Sequence, residues 1–531
     1  MDFLKALSLL VLTALIAIAS PAVMLAQDAP QQGVDAQMLL HPPAETWPTY
    51  HGDYSGRRHS ALTQINPQNV NTLSLAWAFQ TGQPAEIKSS PLLVDGILYF
   101  TVPDNVWALD ARSGHQIWHY NNPTSKGDHI GHRGVAMYKN YLYYLSPDSH
   151  LISLNAKNGK PRWDITVADV SKGYWTTMAP LVVGDHVILG VSGDLDNLTG
   201  YIRSVDPETG ATQWQWNSTP PTGTPNQTTG GMTWITGTYD PDLNLIYWGT
   251  GNPTPVLNGK PRPGDDLYTC TIVALNPDTG KLVWYFQASP HDTHDYDAIQ
   301  IPVLIDADFN GEPKKMLLQA SRNGYFFVLD RSNGKNLLSV PFGPVNWSLG
   351  VDAKGSPIPN PEKEPAPDGR LIAPEEDGLT NYRSPSFDPK TGLFIVDAHP
   401  SYGIYFAKPA DGAYGWAGAD YGVWGKGVIE AIDYRTGKIR WTHELGRGRA
   451  GSGVLTTDSG LAFTGDAHGN FLALDSSDGK TLWHAGSGSQ IASSPITYEL
   501  DGRQYLLTSS GTVLFVWALP QAQSAIQSVG N

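Results

Sequence analysis

One cysteine, Cys270, stands in 531 residues. That excludes an internal disulfide and a C-x-x-C-H haem attachment site. Cys270 lies between Thr269 and Thr271 in a strand-like run, which points to a packed side chain rather than a nucleophile. Charge is sparse as well. Charged residues make up 16% of the chain, the formal net charge is −15, and there is no basic run. Nucleic acid and anionic membrane surfaces are therefore excluded as partners, while a basic protein partner is allowed. Helical periodicity is missing beyond the N-terminus. No later segment approaches the roughly 18 apolar residues of a membrane span, so no span is expected in the mature chain. The composition leaves a homodimer open.

What the chain has in quantity is Gly 55, Pro 40, Tyr 24 and Trp 17, the mixture of many short strands joined by turns. At the N-terminus Lys5 precedes an apolar run from about Ala6 to Ala19, followed by small residues at Ser20–Ala22 and Ala26. This reads as a secretory signal over 1–26, with a short linker over 27–44 and a periplasmic or secreted destination.

An eleven-residue unit recurs along the rest: ALDARSGHQIW (108–118), SLNAKNGKPRW (153–163), SVDPETGATQW (204–214), ALNPDTGKLVW (274–284), AIDYRTGKIRW (431–441) and ALDSSDGKTLW (473–483). A further copy, VLDRSNGKNLL (328–338), carries Leu338 where Trp is expected. Each unit ends one strand, turns on Asp or Asn, closes the hairpin on a glycine and runs a second strand to tryptophan. Tryptophans in one repeated place cannot all line one site, so their role is packing between neighbouring units. Unit spacing of about 40–50 residues matches four-stranded propeller blades.

The expected fold is therefore all-β, an eight-bladed β-propeller over 45–520 with tryptophan-docking repeats. The count takes in a first blade ending near SLAWAF (74–79), a degenerate blade around 384–399, and a last blade that borrows an N-terminal strand. Residues 346–377, rich in Pro, Gly and charge, read as a long loop excursion, a cap or surface feature. Residues 521–531 read as a tail.

The order of WPTYHGDYSGRRHSALTQINPQNVNTLSLAWAFQTG (47–82), HRGVAMY (132–138), the stretch from Tyr239 to Asp297 and SRNG (321–324) resembles the PQQ-dependent (quinoprotein) alcohol dehydrogenases, with methanol and ethanol dehydrogenases among them. The likeness runs along nearly the whole mature chain, as in a divergent member. The resemblance implies that PQQ accepts hydride from an alcohol or sugar-like hydroxyl. It implies a Ca²⁺ or lanthanide ion that polarises the quinone, an aspartate that takes the alcohol proton, and a separate cytochrome c that takes the electrons.

The same resemblance assigns residues. Asp295 in HDTHDYD (291–297) matches the catalytic aspartate and a metal contact. Asp297, two residues on, would point the same way in a strand and pair with it on one cation. A carboxylate there resembles the lanthanide-using branch. Asn252 matches a metal-ligating amide, and Trp234 the indole floor under the quinone. Arg133 and Arg322 match arginines that grip its carboxylates. Thr177, Ser192 and Gly193 match the wall that holds them, and Asn381 a further cofactor-facing amide.

Several positions depart from that pattern. The adjacent cysteines of the family fall at about Gly127 and Asp128. Its metal-binding glutamate falls on Leu195, which leaves Asp194 and Asp196 as substitutes. A cofactor-facing glutamate falls on Lys88, a cation suited to a polyanion. His294 stands where a tryptophan often precedes the catalytic aspartate, and with His291 it forms a weak H-x-x-H motif. These departures keep a second reading open: a propeller that has lost PQQ and serves as a periplasmic binding or assembly scaffold. An outer-membrane assembly propeller is a third, disfavoured by Asn252, Asp295 and Arg322.

Overall fold

The computed structural model describes residues 33–193, 198–220, 228–408, 415–447 and 451–521. The signal and the end of the tail lie outside these ranges, as do Asp194, Leu195 and Asp196. The described chain is all-β apart from a five-residue helix, Ala36–Leu40, capped by the Asp35 side chain, and three short 3₁₀ turns. No helix among the described residues is long and apolar enough to cross a membrane.

The strands form successive antiparallel sheets. Four-stranded sheets span 92–121, 136–166, 181–217, 238–287 and 303–341, each with neighbours in chain order. The next sheet orders Ser386–Asp388, Leu393–Ala398, Gly418–Asp433 and Ile439–Arg447. So 384–399 is no separate blade: it supplies the leading strands of the sheet that ends in the 431–441 unit. A further sheet runs over 455–486, with His59–Ser60 added in parallel on Leu455–Thr457. In the last, Ser74–Gln80 pairs with Val513–Ala518. The SLAWAF segment is thus the outer strand of the closing sheet and does not end a separate first one. The first described strand of the sheets and the last are thereby joined in one sheet.

The repeated glycines have φ between 66° and 74° at Gly114, Gly159, Gly210, Gly280, Gly334, Gly437 and Gly479. Each also lies against the preceding unit. A Cβ at Gly280 would sit 2.5 Å from the Trp214 indole, and one at Gly479 2.5 Å from Trp441. The indole N–H groups of Trp118, Trp214, Trp284 and Trp441 donate to the carbonyls of Ala156, Pro277, Arg331 and Ser476, the same position in each following unit. Trp163 differs. Its Nε1 is buried without a partner, because Arg162 and Tyr143 already occupy the Pro207 carbonyl.

The 346–377 excursion is partly built into a sheet. Ser348–Val351 pairs with Pro357–Pro359, and Arg370–Ile372 adds to Ser401–Ala407. One buried acid in the adjoining sheet has a predictable cost. Glu430 is 5% exposed, its Oε2 has no partner, and burial pushes its carboxyl from 4.5 up to about 8 against the pull of Lys426. The folded chain keeps a proton that the unfolded chain releases, so this group's contribution falls as pH rises from 4.5 to about 8. Glu430→Gln is expected to match wild type at pH 4.5 and exceed it by about 1–3 kcal/mol at pH 9. Denaturant unfolding at both pH values checks this, and a difference that does not change with pH rejects it.

Candidate active site

One end of the sheets gathers residues that are far apart in sequence. Lys88, Arg133, Thr177, Trp234, Asp297 and Tyr382 each lie just ahead of the leading strand of a different sheet. Ser192 and Asn252 lie just after second strands, and Arg322 lies in the turn between Glu312–Ala320 and Tyr325–Asp330. In an antiparallel sheet these positions share one edge, so the fold places them together without any local sequence signal.

Arg322 is the hub. Its Nη2 donates to Asp295 Oδ2 and to Glu376 Oε1, both at 2.5 Å. Nη1 donates to Asp297 Oδ2 at 3.3 Å, and Nε to the Glu376 carbonyl at 2.8 Å. Asp297 is held further by the Trp234 indole N–H at 3.0 Å and by the Asn252 backbone N–H on Oδ1 at 2.6 Å. The 291–297 segment is not a strand. The two carboxylates converge because Asp295 takes a left-handed conformation, φ 66°, and not through the period of two expected for D-Y-D.

Two buried carboxyls and the half-buried Glu376 on one guanidinium leave an excess of negative charge. Burial pushes Asp295 well above the usual carboxylate range, with Arg322 opposing and Asp297 and a hydrogen bond from the protonated Asp295 to Glu376 adding to it. Asp297 is raised by burial too, against Arg322 and its N–H donors. Burial alone would lower Arg322, but Asp295, Glu376 and Asp297 hold its guanidinium well above its ordinary value.

Beside this node lies a cationic, aromatic wall. The Arg133 guanidinium sits 4.8 Å from the Trp234 ring centroid and 5.0 Å from that of Tyr382. Its Nη1 donates to Thr177 Oγ1, and its Nε is buried without a partner. Ser192 Oγ is likewise buried and unpartnered. Lys88 Nζ donates to the Ile130 carbonyl at 2.7 Å and lies 5.8 Å from Tyr382. Burial lowers its pKa, and Arg133 lowers it further.

Other expected residues divide. Asn381 spends its amide on Asp377, with Nδ2 donating to the Asp377 carbonyl and to Oδ1, both at 3.0 Å. A Cβ at Gly193 would lie 2.7 Å from Leu198 Cδ1, so this position faces packed chain. His291 and His294 do not share a site. His291 Nδ1 lies 2.8 Å from the Gly264 carbonyl, and His294 Nε2 2.9 Å from that of Lys363. Cys270 is buried, and burial pushes its thiol up, as packing requires. Glu376, Tyr382 and Arg383 were not expected. Glu376 sits at the end of the excursion, in an acidic run (375–377) whose charge was its available signal.

Known proteins resemble this chain in sequence and in fold. A family model described as glucose/ethanol/alcohol dehydrogenase, β-propeller domain, matches residues 47–357. A second, described as outer membrane protein assembly factor BamB, matches 425–519. A quinohemoprotein alcohol dehydrogenase of Comamonas testosteroni is 35% identical, over 90% of this chain and 75% of its own. A lanthanide-dependent methanol dehydrogenase of Methylorubrum extorquens is 33% identical, over 96% and 92%. The solved structure of quinohemoprotein alcohol dehydrogenase ADHIIG of Pseudomonas putida superposes with a TM-score of 0.86 at 29% identity, over 92% of this chain and 83% of its own.

Proposed function

The chain belongs to the PQQ-dependent quinoprotein alcohol dehydrogenase family, and from that premise we propose that it is a periplasmic, eight-bladed β-propeller enzyme that oxidises an alcohol or sugar-like hydroxyl and passes electrons to a separate cytochrome c. The observation that carries the reading is the Asp295–Arg322 pair set beside Trp234 and an incompletely partnered, buried Arg133.

The residues fit the cofactor. Arg133 Nε and Ser192 Oγ are buried polar atoms without partners, and Arg133 lies over the Trp234 and Tyr382 rings. Such a set is suited to a flat ligand bearing several carboxylates. Arg133, Thr177, Ser192, Lys88 and Trp234 would hold it. The metal reading rests on charge. Asp295, Asp297 and the Asn252 amide are oxygen donors of the kind a hard cation takes, and the carboxylates outnumber Arg322. Among the described residues no cluster of three or more His, Cys, Asp or Glu side chains is arranged to hold an ion. The remaining donors must therefore come from the ligand or from residues outside those ranges, where Asp194 and Asp196 lie.

When bound, PQQ and its cation supply a polarised acceptor for the substrate's C–H hydrogen and two electrons. The chain's own part is to move a proton and to orient the groups. Asp295 accepts the hydroxyl proton. Arg322 fixes Asp295 and favours its ionised form against burial. Trp234 and Asn252 fix Asp297 through their N–H groups.

Purified protein supplied with PQQ and Ca²⁺ or La³⁺ is expected to take up the cofactor, seen by absorbance, and to reduce a dye with a panel of alcohols. Uptake with La³⁺ alone, lost in Asp297→Ala, assigns a lanthanide. Uptake with Ca²⁺ that survives Asp297→Ala rejects that subtype. The scaffold reading is favoured by Gly127, where a Cβ would lie 1.9 Å from the Pro147 carbonyl oxygen, so a cysteine pair has no room there. Failure to take up PQQ with either ion would decide for the scaffold.

A further inference from the structure

The turn that carries Asp295 is held in a conformation that its own residues do not favour. His291 and Asp295 have positive φ, 47° and 66°, and neither is glycine. Backbone of that kind persists only where the surroundings fix it. On one side the turn is fixed by the excursion. His294 Nε2 lies 2.9 Å from the Lys363 carbonyl, and the Tyr296 hydroxyl donates to that of Pro374 at 2.5 Å. On the other side stands a buried charged group outside the Arg322 node.

That group is Arg262, Asp266 and Asp292, which are 1%, 5% and 2% exposed. Asp292 lies three residues before Asp295, and its Oδ2 accepts the Tyr296 backbone N–H at 3.1 Å. The bond spans Asp295 and closes the turn around it. Asp292 Oδ1 is buried without a partner. Arg262 reaches the same turn from the 255–266 segment. Its Nη2 donates to the Asp292 carbonyl at 2.8 Å and its Nε to the Pro255 carbonyl at 3.1 Å, while Nη1 donates to Asp266 Oδ2. Asp266 is fixed in turn by the Thr228 hydroxyl, which donates to Oδ1 at 2.7 Å. An arginine used only to neutralise Asp266 would need no contact with residue 292. The planar fork meets a carboxylate and a turn carbonyl at once, which a point-like ammonium is not shaped to do.

We propose that Asp292 and Arg262 are the positioning residues of the general base. Asp292 closes the turn across Asp295, and Arg262 anchors that turn to the 255–266 segment, so that the Asp295 carboxylate is held in place at Arg322. The proposal rests on the reading of Asp295 as the base. Neither residue touches the reacting atoms.

The test compares Asp292→Ala, Asp292→Asn and Arg262→Lys, each made in the wild type and in the Asp295→Asn background. With PQQ and Ca²⁺, Asp292→Ala is expected to lower kcat for alcohol oxidation about 30-fold, the order of loss that follows a misplacement of about 1 Å. KM and PQQ uptake should stay within about threefold of wild type. Arg262→Lys is expected to lose about tenfold in kcat. Asp292→Asn keeps the acceptor oxygen and should recover most of the loss. In the Asp295→Asn background neither Asp292→Ala nor Arg262→Lys should lower the residual kcat further, because the group they position is already disabled. A second readout needs no cofactor. Hydrogen exchange of the 291–297 segment in the apo-protein should be about tenfold faster in Asp292→Ala and in Arg262→Lys, with the 274–284 unit unchanged. Arg262→Lys serves if Asp292→Ala does not fold, as judged by near-UV circular dichroism. Wild-type kcat in the folded variants, wild-type exchange in them, or the same loss with and without the Asp295 carboxylate overturns the proposal and leaves the site reading intact. A wild-type protein that takes up PQQ and oxidises no alcohol overturns the reading of Asp295 as the base, and the proposal with it.

Discussion

Asp295→Asn is expected to lower kcat for alcohol oxidation by about 10³-fold, within the range that a positioned general base supplies, while PQQ uptake stays within about threefold of wild type. The geometry separates Asp295 from its neighbours. Asp297 has both carboxylate oxygens occupied, Oδ1 by the Asn252 N–H and Oδ2 by Trp234 and Arg322. Glu376 has a side chain 22% exposed and belongs to the excursion. Asp295 is 6% exposed and meets the guanidinium through Oδ2. An amide at 295 keeps the size of the side chain but cannot take a proton, so catalysis and not assembly should fail. Dye-coupled turnover beside a fluorescence binding curve reads the two apart. An Asp295→Asn enzyme within tenfold of wild-type kcat would place the base elsewhere, and Glu376→Gln would be the next variant to measure.

The scaffold was more legible in the sequence than the site. Packing between sheets is met by the same contact again and again, so the glycine that closes each hairpin and the tryptophan that covers the next one recur at a fixed spacing. One misplacement came from chain closure, which joins residues more than 400 positions apart: Ser74–Gln80 is itself the N-terminal strand that the last sheet borrows, paired with Val513–Ala518; the other, at 384–399, came from the strand Ser401–Ala407 that separates its leading strands from Gly418–Asp433. The site repeats nothing. Asp295, Arg322, Trp234 and Arg133 were found through resemblance, and the structure brings them together. Asn381 was found too, but it bonds Asp377. The residue beside it, Tyr382, faces Arg133 and Lys88. Glu376 was hidden by composition, since a stretch rich in proline and charge reads as surface wherever it lies.

The last expected result tests the node itself. Arg322→Leu is expected to cost about 3–5 kcal/mol of stability at pH 8, the usual loss when one partner of a buried ion pair is removed. Asp295, Asp297 and Glu376 would then repel one another without a counter-charge. The pH dependence carries the argument. Burial already raises Asp295 and Asp297 in the folded chain, and removing Arg322 takes away the group that opposes that rise. A carboxyl whose folded value lies above its unfolded value binds protons on folding, so the variant regains stability as pH falls through the raised values. The deficit should therefore be largest at pH 8 and shrink toward pH 5, measured by denaturant unfolding at both. Arg322→Lys should fall between, because an ammonium is a point charge and cannot meet three carboxyls as a planar fork does. A deficit that is the same at both pH values would mean that Arg322 acts by packing. The ionised state of Asp295, and with it the base assigned to this reaction, would then need another source.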